Sequence, residues 1–574
     1  MSVAVSTGAA GGAGQQAVGL EQIRQQVMWQ RLVAVVEEQA RTLVRSAFST
    51  STREAGDLSA GVFDPQGRML AQAVTGTPGH INSMAASVGH FLEEFPIDTM
   101  APGDVFLTND PWKGTGHLFD FVVVSPTFWR GQLVALFACT SHVVDIGGVG
   151  FSTEGREIYH EGLYLPILRL GRAGADGQSV LDETVLRIIR ANVREPVQVE
   201  GDVYSLAACN DIGGRRLLEM LDEYDLEDLD ALGAYILESS RRAMLERISA
   251  LPVGTWHNQM RIDGVSGPLD LVCTMTVGEG RIGVDFTGTS PAQDCGINVP
   301  MAYTDAYTSF GVRCIIGPDV PNNAGSLEMI KVTAPRGCLL NAPHPHAVNA
   351  RHVVGQMLPD TVFGCLHQFL PGRVPAEGTS SLWNIVATGF HAIPNGTTNG
   401  DGDDGGVRRR WNLMSFHSGG AGARPTKDGL SATAFPSGVR NMPVEINEAI
   451  TPIVYWRKEL RPGSGGEGRF RGGHGQVVEL GSLQDEPFTL ACTYERVVHP
   501  ARGREGGEPG ACGAVTLVGS GERLASVGRN VIPAGERVLL EFPGGGGYGP
   551  PAERDPALIE AEERSGMAQG GAAR

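Results

Sequence analysis

From residue 20 to 48 apolar positions recur every three or four residues: Met28, Leu32, Val35, Val36, Ala40, Leu43 and Ala47 share one face, while Glu37, Glu38 and Arg41 lie off it. That period predicts a long amphipathic helix. The spacing then drops to two. Leu58 to Phe63 alternates behind Arg53-Glu-Ala-Gly-Asp57 and closes in Asp64-Pro-Gln-Gly67, which reads as a strand entering a turn with Asp57 at its start. Gly76-Thr-Pro-Gly-His80 opens a second helix that runs to about Phe95. His80 at its mouth is suited to face an anion, or simply to cap the helix.

Residues 104–148 hold the densest chemistry. Asp104-Val-Phe-Leu-Thr reads as a strand, Trp112-Lys-Gly-Thr-Gly116 breaks it, and His117-Leu-Phe-Asp120 leads into the apolar run Phe121 to Val124. A second run, Leu133 to Ala138, follows Ser-Pro and Arg-Gly, so the two runs predict a hairpin of buried strands. Antiparallel pairing would bring His117, Asp120 and His142 to one end of the sheet. Two imidazoles and a carboxylate suit zinc, manganese or iron. A fourth ligand has to come from elsewhere. The plainer reading is a hydrogen-bonded His and a turn-forming Asp, because His-x-x-Asp alone is a weak signature.

Beyond this stretch, Ser152 to Gly162 is a polar loop rich in Glu and His, expected as a rim or lid. Helical periods cover Leu181 to Asn192, Tyr204 to Tyr224 and Leu226 to Ile248, the last with Leu229, Leu232, Ile236 and Met244 as a packing stripe. From Gly254 the chain alternates as strands at 256–262, 269–277 and 282–286, and again at 453–457, 475–480, 488–492 and 537–542. Pro343-His344-Pro-His346-Ala-Val-Asn349-Ala-Arg351-His352 is dense in histidine but has no adjacent acidic ligand. Asn395 to Gly406 resembles a calcium loop without its closing Glu and is expected to be solvated linker. These shifts predict a disordered leader at 1–18, a metal-site α+β unit at 19–253, a β-rich middle at 254–435, a β-rich carboxy-terminal unit at 436–556 and a tail at 557–574.

Length and composition fit that division. A chain of 574 residues exceeds one core, and 79 Gly with 34 Pro spread along it favour turns and short strands over long helices. The expected class is multi-domain α+β, rich in mostly antiparallel sheet, with helices at the amino terminus and in the middle. A net charge of −18 disfavours nucleic acid and anionic membrane as partners, and no apolar stretch is long enough to span a bilayer. Nine scattered cysteines without a Cys-x-x-Cys pair argue against a disulfide framework. A cytoplasmic location is the simplest expectation. Neither a phosphate-binding Gly-x-x-x-x-Gly-Lys-Ser/Thr nor a dinucleotide fingerprint occurs, so nucleotide chemistry would belong to a partner.

Several ordered stretches resemble the hydantoinase B family: Asp57-Leu-Ser-Ala-Gly-Val-Phe-Asp64, Gly103-Asp-Val-Phe-Leu-Thr-Asn-Asp-Pro111, Gly116-His-Leu-Phe-Asp120, His142-Val-Val-Asp-Ile-Gly-Gly148, Glu157-Ile-Tyr-His-Glu-Gly162, Leu460 to Gly473 and Pro543 to Gly549. That family comprises the metal-bearing subunits of ATP-dependent N-methylhydantoinases, 5-oxoprolinases and lactamases, and of related acetone and acetophenone carboxylases. The resemblance implies a divalent metal, zinc or manganese or iron, held by Asp57, His117, Asp120 and His142. It departs at one place, where the family often has two adjacent histidines and this chain has His142-Val143.

By the same resemblance, a hydantoinase A type partner subunit would carry ATP and magnesium, forming a hetero-oligomer with two or more copies of each chain. It would phosphorylate a small cyclic amide that the metal site then hydrolyses, with Asp145 or Glu161 as general base and His80 facing the substrate. The carboxylase branch would use the site for bicarbonate and an enol phosphate. A third reading, from another class, is an assembly subunit with a structural metal.

Overall fold

The computed structural model describes residues 9–391 and 410–568. Residues 1–8 of the expected leader and the calcium-like loop at 395–406 lie outside them. The first helix, Ala9–Ser46, begins eleven residues before the apolar period does. Small Ala, Gly and Gln residues there have no apolar stripe to reveal a helix, so reading the whole of 1–18 as leader placed the start too late.

Seven antiparallel strands follow: β1 (Leu58–Phe63), β2 (Met69–Gln72), β3 (Val105–Thr108), β4 (Asp120–Trp129), β5 (Gln132–His142), β6 (Leu168–Ala173) and β7 (Ser179–Leu181), in the order β2-β1-β5-β4-β3-β6-β7. Both faces of this sheet are covered. Phe121, Val123, Phe137 and Cys139 point into a core shared with Leu32, Val36 and Leu43 of the first helix and Val203, Leu206 and Leu217 of the Pro196–Glu223 helix. Val122, Val124, Leu136 and Ala138 instead meet Met84, Val88 and Phe91 of the Pro78–Glu94 helix. Burial on both sides explains why these strands read as unbroken apolar runs rather than alternating ones. Inside the first face, Gln39 Nε2 donates to the Ala138 carbonyl at 3.1 Å and to Asn210 Oδ1 at 2.7 Å, tying two helices to β5.

A second sheet, β11-β10-β9-β8, comprises β8 (Gly254–Ile262), β9 (Leu269–Gly278), β10 (Arg281–Asp285) and β11 (Ile330–Thr333), with only the β10–β11 pair parallel. The helices Met301–Ile316 and Leu358–Leu366 share its core. Neither was expected, since both are apolar nearly all round and show little period.

The remaining strands form two four-stranded sheets around one core. β12 (Ile385–Phe390), β13 (Arg410–Ser415), β16 (Phe488–Thr493) and β18 (Val527–Ile532) make one, ordered β13-β12-β16-β18. β14 (Ile453–Leu460), β15 (Gln476–Ser482), β17 (Ala514–Leu517) and β19 (Arg537–Glu541) make the other, ordered β14-β15-β19-β17. Ile385, Leu413, Leu480, Leu490 and Leu540 meet between them. β12 and β13 therefore belong with strands a hundred residues on, and the division expected at 435/436 falls inside this sandwich rather than before it. Alternation along a strand reveals its buried face but not its neighbour.

Beneath the sandwich, glycine-rich segments pack backbone against backbone. Gly466 N donates to the Gly545 carbonyl at 2.8 Å, Gly545 N to Gly473 at 3.0 Å, and Gly473 N to Ala421 at 2.8 Å. A Cβ on Gly545 would lie 2.1 Å from the Ala421 carbonyl oxygen, and one on Gly472 would lie 1.9 Å from that of Gly545. The Gly-rich runs are thus a core in their own right. No helix among the described residues is long and apolar enough to cross a membrane, and all nine cysteines are free.

Candidate metal centre

Register creates the site. Asp120, first residue of β4, pairs directly with His142, last of β5, and β1 begins beside them with Leu58 opposite Ser141. His142 N donates to the Asp57 carbonyl at 3.2 Å, closing the start of β1 onto this edge. His117, Asp120 and His142 are buried and offer ligand atoms that lie within 4.8 Å of one another. Asp57 stands outside that compact trio, at the wall of the same cavity of about 20 Å³. His80, at the amino end of its helix, bridges the two carboxylates: Nε2 is 3.0 Å from Asp120 Oδ2 and Nδ1 is 3.4 Å from Asp57 Oδ1.

Hydrogen bonding fixes which atoms face inward. His117 Nδ1 donates to the Asn349 carbonyl at 2.9 Å, which leaves Nε2 with its lone pair. That Nε2 is 2.8 Å from Asp120 Oδ1 yet has no hydrogen-bond partner, and His142 Nε2 has none either. Burial, then Arg351, pushes the His117 pKa down to about 3, so the ring is neutral. A neutral imidazole nitrogen and a carboxylate oxygen this close repel unless a cation lies between them. The donor set therefore fits a borderline divalent ion, with Asp57 available to complete it.

Asp120 is held by more than the histidines. Thr115 Oγ1 donates to its Oδ2 at 2.8 Å, and the Arg351 guanidinium, itself 2 % exposed, pairs with the same oxygen. Arg351 also donates from Nε to the Thr115 carbonyl at 2.8 Å and stacks its cation 3.9 Å from the centre of the Tyr303 ring. Gly116, at φ +99°, makes room for it, since a Cβ there would sit 2.6 Å from Arg351 Cδ. Burial works against the Asp120 charge, but the neighbouring cations, His80 and Arg351, hold its pKa well below the usual range. For His80 burial disfavours the imidazolium, and Asp120 and Asp57 outweigh it, so its pKa is raised.

Arg351 and His352 were legible only as members of the histidine-dense loop. His352 lines the cavity with both ring nitrogens unpartnered, stacked on Phe151 at 5.3 Å. His344 and His346 do not join it: His344 packs edge-on against Trp112, and His346 Nδ1 bonds the Pro343 carbonyl at 2.8 Å.

Neither expected general base lines the cavity. Asp145 is paired with Arg194 at 2.8 Å and accepts from Gly147 N at 3.1 Å. Glu161, fully buried, accepts from Val348 N at 2.7 Å and Asn349 N at 2.8 Å, and so braces the backbone that anchors His117. The 152–162 segment is likewise a packed connection rather than a lid, with Ile158 N bonded to the Pro345 carbonyl at 2.9 Å.

Glu161 has a testable consequence. Burial raises its pKa from 4.5 to about 8, against the two backbone amides that lower it. Between those values the folded chain keeps a proton that the unfolded chain has lost, so stability falls as pH rises through that window. Glu161→Gln retains an acceptor oxygen for both amides and cannot ionise. Its melting temperature relative to the parent should therefore rise on going from about pH 5 to about pH 8; a gap independent of pH would refute the burial argument.

The family model described as Hydantoinase B/oxoprolinase matches residues 21–551. The chain belongs to this family. The caprolactamase subunit beta of Pseudomonas jessenii is 29 % identical, over 92 % of this chain and 91 % of its own. The crystal structure of the ATP-dependent caprolactamase from that organism superposes with a TM-score of 0.82 at 25 % identity, covering 96 % of this chain and 94 % of that one. A nucleotide-free acetone carboxylase structure superposes with a TM-score of 0.83 over 96 % of this chain and 78 % of its own, at 21 % identity, a likeness of fold alone.

Proposed function

We propose that this chain is the metal-bearing subunit of an ATP-dependent cyclic-amide hydrolase, active with a hydantoinase A type partner that binds ATP and magnesium. The observation carrying this reading is the convergence of the unpartnered His117 Nε2 and of His142 Nδ1, at 2.8 and 3.3 Å, on one oxygen of the buried Asp120, in a chain whose relatives include a caprolactamase subunit beta. An unstrained cyclic amide is a poor electrophile. Phosphorylation of its carbonyl oxygen in the partner would make that carbon open to water; the ring C–N bond would then break with the nitrogen leaving as the protonated amine, and the acyl phosphate so formed would be hydrolysed to the ring-opened acid and orthophosphate.

His117, Asp120, His142 and Asp57 would hold the ion, zinc or manganese or iron. Bound there, it supplies a water of lowered pKa at neutral pH. Thr115 and Arg351 fix the Asp120 carboxylate, and Asn349 fixes the His117 tautomer. His80, touching Asp57 and Asp120, is the group placed to take a proton from the cavity at Nδ1, a role the sequence had left to Asp145 or Glu161. His352, whose pKa burial and Arg351 press well below its usual value, stays neutral and presents an N–H to a substrate oxygen.

The test is product analysis with co-expressed partner and ATP. A panel of hydantoins, lactams and oxoproline goes in one tube, and acetophenone or acetone with labelled bicarbonate in another. Ring-opened acid with ATP consumption is expected. Label fixed into a β-keto acid, with no ring opening, would replace the hydrolase by the carboxylase. His80→Gln should lower kcat by roughly a hundredfold, the lower end for a general acid–base group, while leaving the metal in place.

A further inference from the structure

A second cavity, of about 100 Å³, lies one aromatic ring away from the metal cluster. Its floor is the outer face of the β13-β12-β16-β18 sheet. Asn412 pairs with Thr388 and Thr388 with Thr489, while Met414, Val386, Ala491 and Arg529 form the next row. Arg410 stands on the same face, two residues before Asn412, so Arg410 and Arg529 rise from opposite edges of one polar surface. The roof is the 144–151 loop together with Arg194 and the amino end of the 28-residue Pro196–Glu223 helix. Phe119 and Phe151 close the inner end. On its far side, Phe119 stacks on His142 at 5.1 Å between ring centres and 7° between planes, and Phe151 meets His142 edge-on at 5.4 Å.

Three guanidiniums from three separate elements thus surround one small space. Arg194 is neutralised by Asp145 at 2.8 Å, and Arg529 by Glu154 at 3.0 Å. Glu195 accepts from Asn412 at 3.1 Å. The Arg410 side chain, exposed to solvent, makes no hydrogen bond or ion pair among the described residues; burial and the neighbouring Arg194 press its pKa down, with Asp145 and Glu195 acting the other way. Of the three, Arg410 alone has no carboxylate at ion-pair distance among the described residues, and a bound anion would supply that partner. Forked guanidinium donors are a means by which proteins hold phosphate.

We propose that this cavity binds a phosphate group, Arg410 supplying the uncommitted charge and Arg194 and Arg529 flanking it. The site itself stands on the side chains described. Its assignment to a source rests on the reading of the function above: either the phosphoryl group of the activated amide is held here, or the orthophosphate released when the ring-opened acyl phosphate is hydrolysed.

Calorimetric titration of the full-length chain at constant ionic strength tests this, with inorganic phosphate and phenyl phosphate as probes. Saturable phosphate binding is expected, weakened about tenfold or more by Arg410→Gln and partly restored in Arg410→Lys, with metal content unchanged. Tight binding of the monoester as well would assign the site to the phosphorylated substrate, and phosphate alone to the product. The proposal is overturned if neither probe binds at millimolar concentration, or if Arg410→Gln and Arg529→Gln both bind phosphate as the parent does. Because no turnover is needed, a chain that binds phosphate at Arg410 yet opens no cyclic amide would sink the hydrolase reading and leave the site intact.

Discussion

Gly545→Ala is expected to lower stability by roughly 4–6 kcal/mol, combining overpacking with two broken hydrogen bonds. The new methyl would lie 2.1 Å from the Ala421 oxygen and 2.4 Å from its carbonyl carbon. Neither is the end of a flexible side chain that could swing aside. Relief requires moving the backbone, and that backbone is bonded on both sides, to Gly473 and to Gly466. The control is Gly89→Ala on the exposed face of the Pro78–Glu94 helix, where a Cβ meets nothing within 4 Å. There the gain in helix propensity should stabilise by up to about 1 kcal/mol. Urea midpoints of the two variants make the comparison; equal midpoints would show that the glycine layers yield easily.

The second large effect is electrostatic. Asp120→Asn removes the charge that Arg351 pairs with, leaving a buried guanidinium answered only by the Thr115 carbonyl and the Tyr303 ring. A buried pair broken from one side costs about 3–5 kcal/mol, because the remaining ion is uncompensated. The same substitution should also empty the cluster of metal. Arg351→Met separates the two effects. In the double variant no charge is stranded, so its loss should fall short of the summed single losses by roughly 1–3 kcal/mol. Strict additivity would mean that Arg351 does not support Asp120.

What the sequence disclosed depended on the distance between partners. His117, Asp120 and His142 lie within twenty-six positions on a strand, a turn and a strand, so local alternation was enough to bring them together. Asp57 came only from family resemblance, and the structure seats it at the cavity wall rather than in the compact trio. Arg351 reaches Asp120 from 231 positions away, and no periodicity encodes such a contact. The same blindness left β12 and β13 unread as strands and assigned their residues to the middle unit, because their partners lie about a hundred residues on. Asp145 and Glu161 looked catalytic because they are acidic residues in loops beside the cluster. Burial and backbone amides commit them to structure instead. The glycine runs were legible as composition, but composition signals turns, and their packing as a core depends on segments far apart in the chain.

The most direct test is elemental analysis of the purified chain, parent and His142→Ala side by side, with circular dichroism to confirm that both are folded. The account predicts close to one divalent transition ion per parent chain, lost from the variant while its fold persists, and ring-opening activity lost with the ion. A parent that opens cyclic amides after complete removal of metal, or a His142→Ala chain that keeps its full complement, would contradict it.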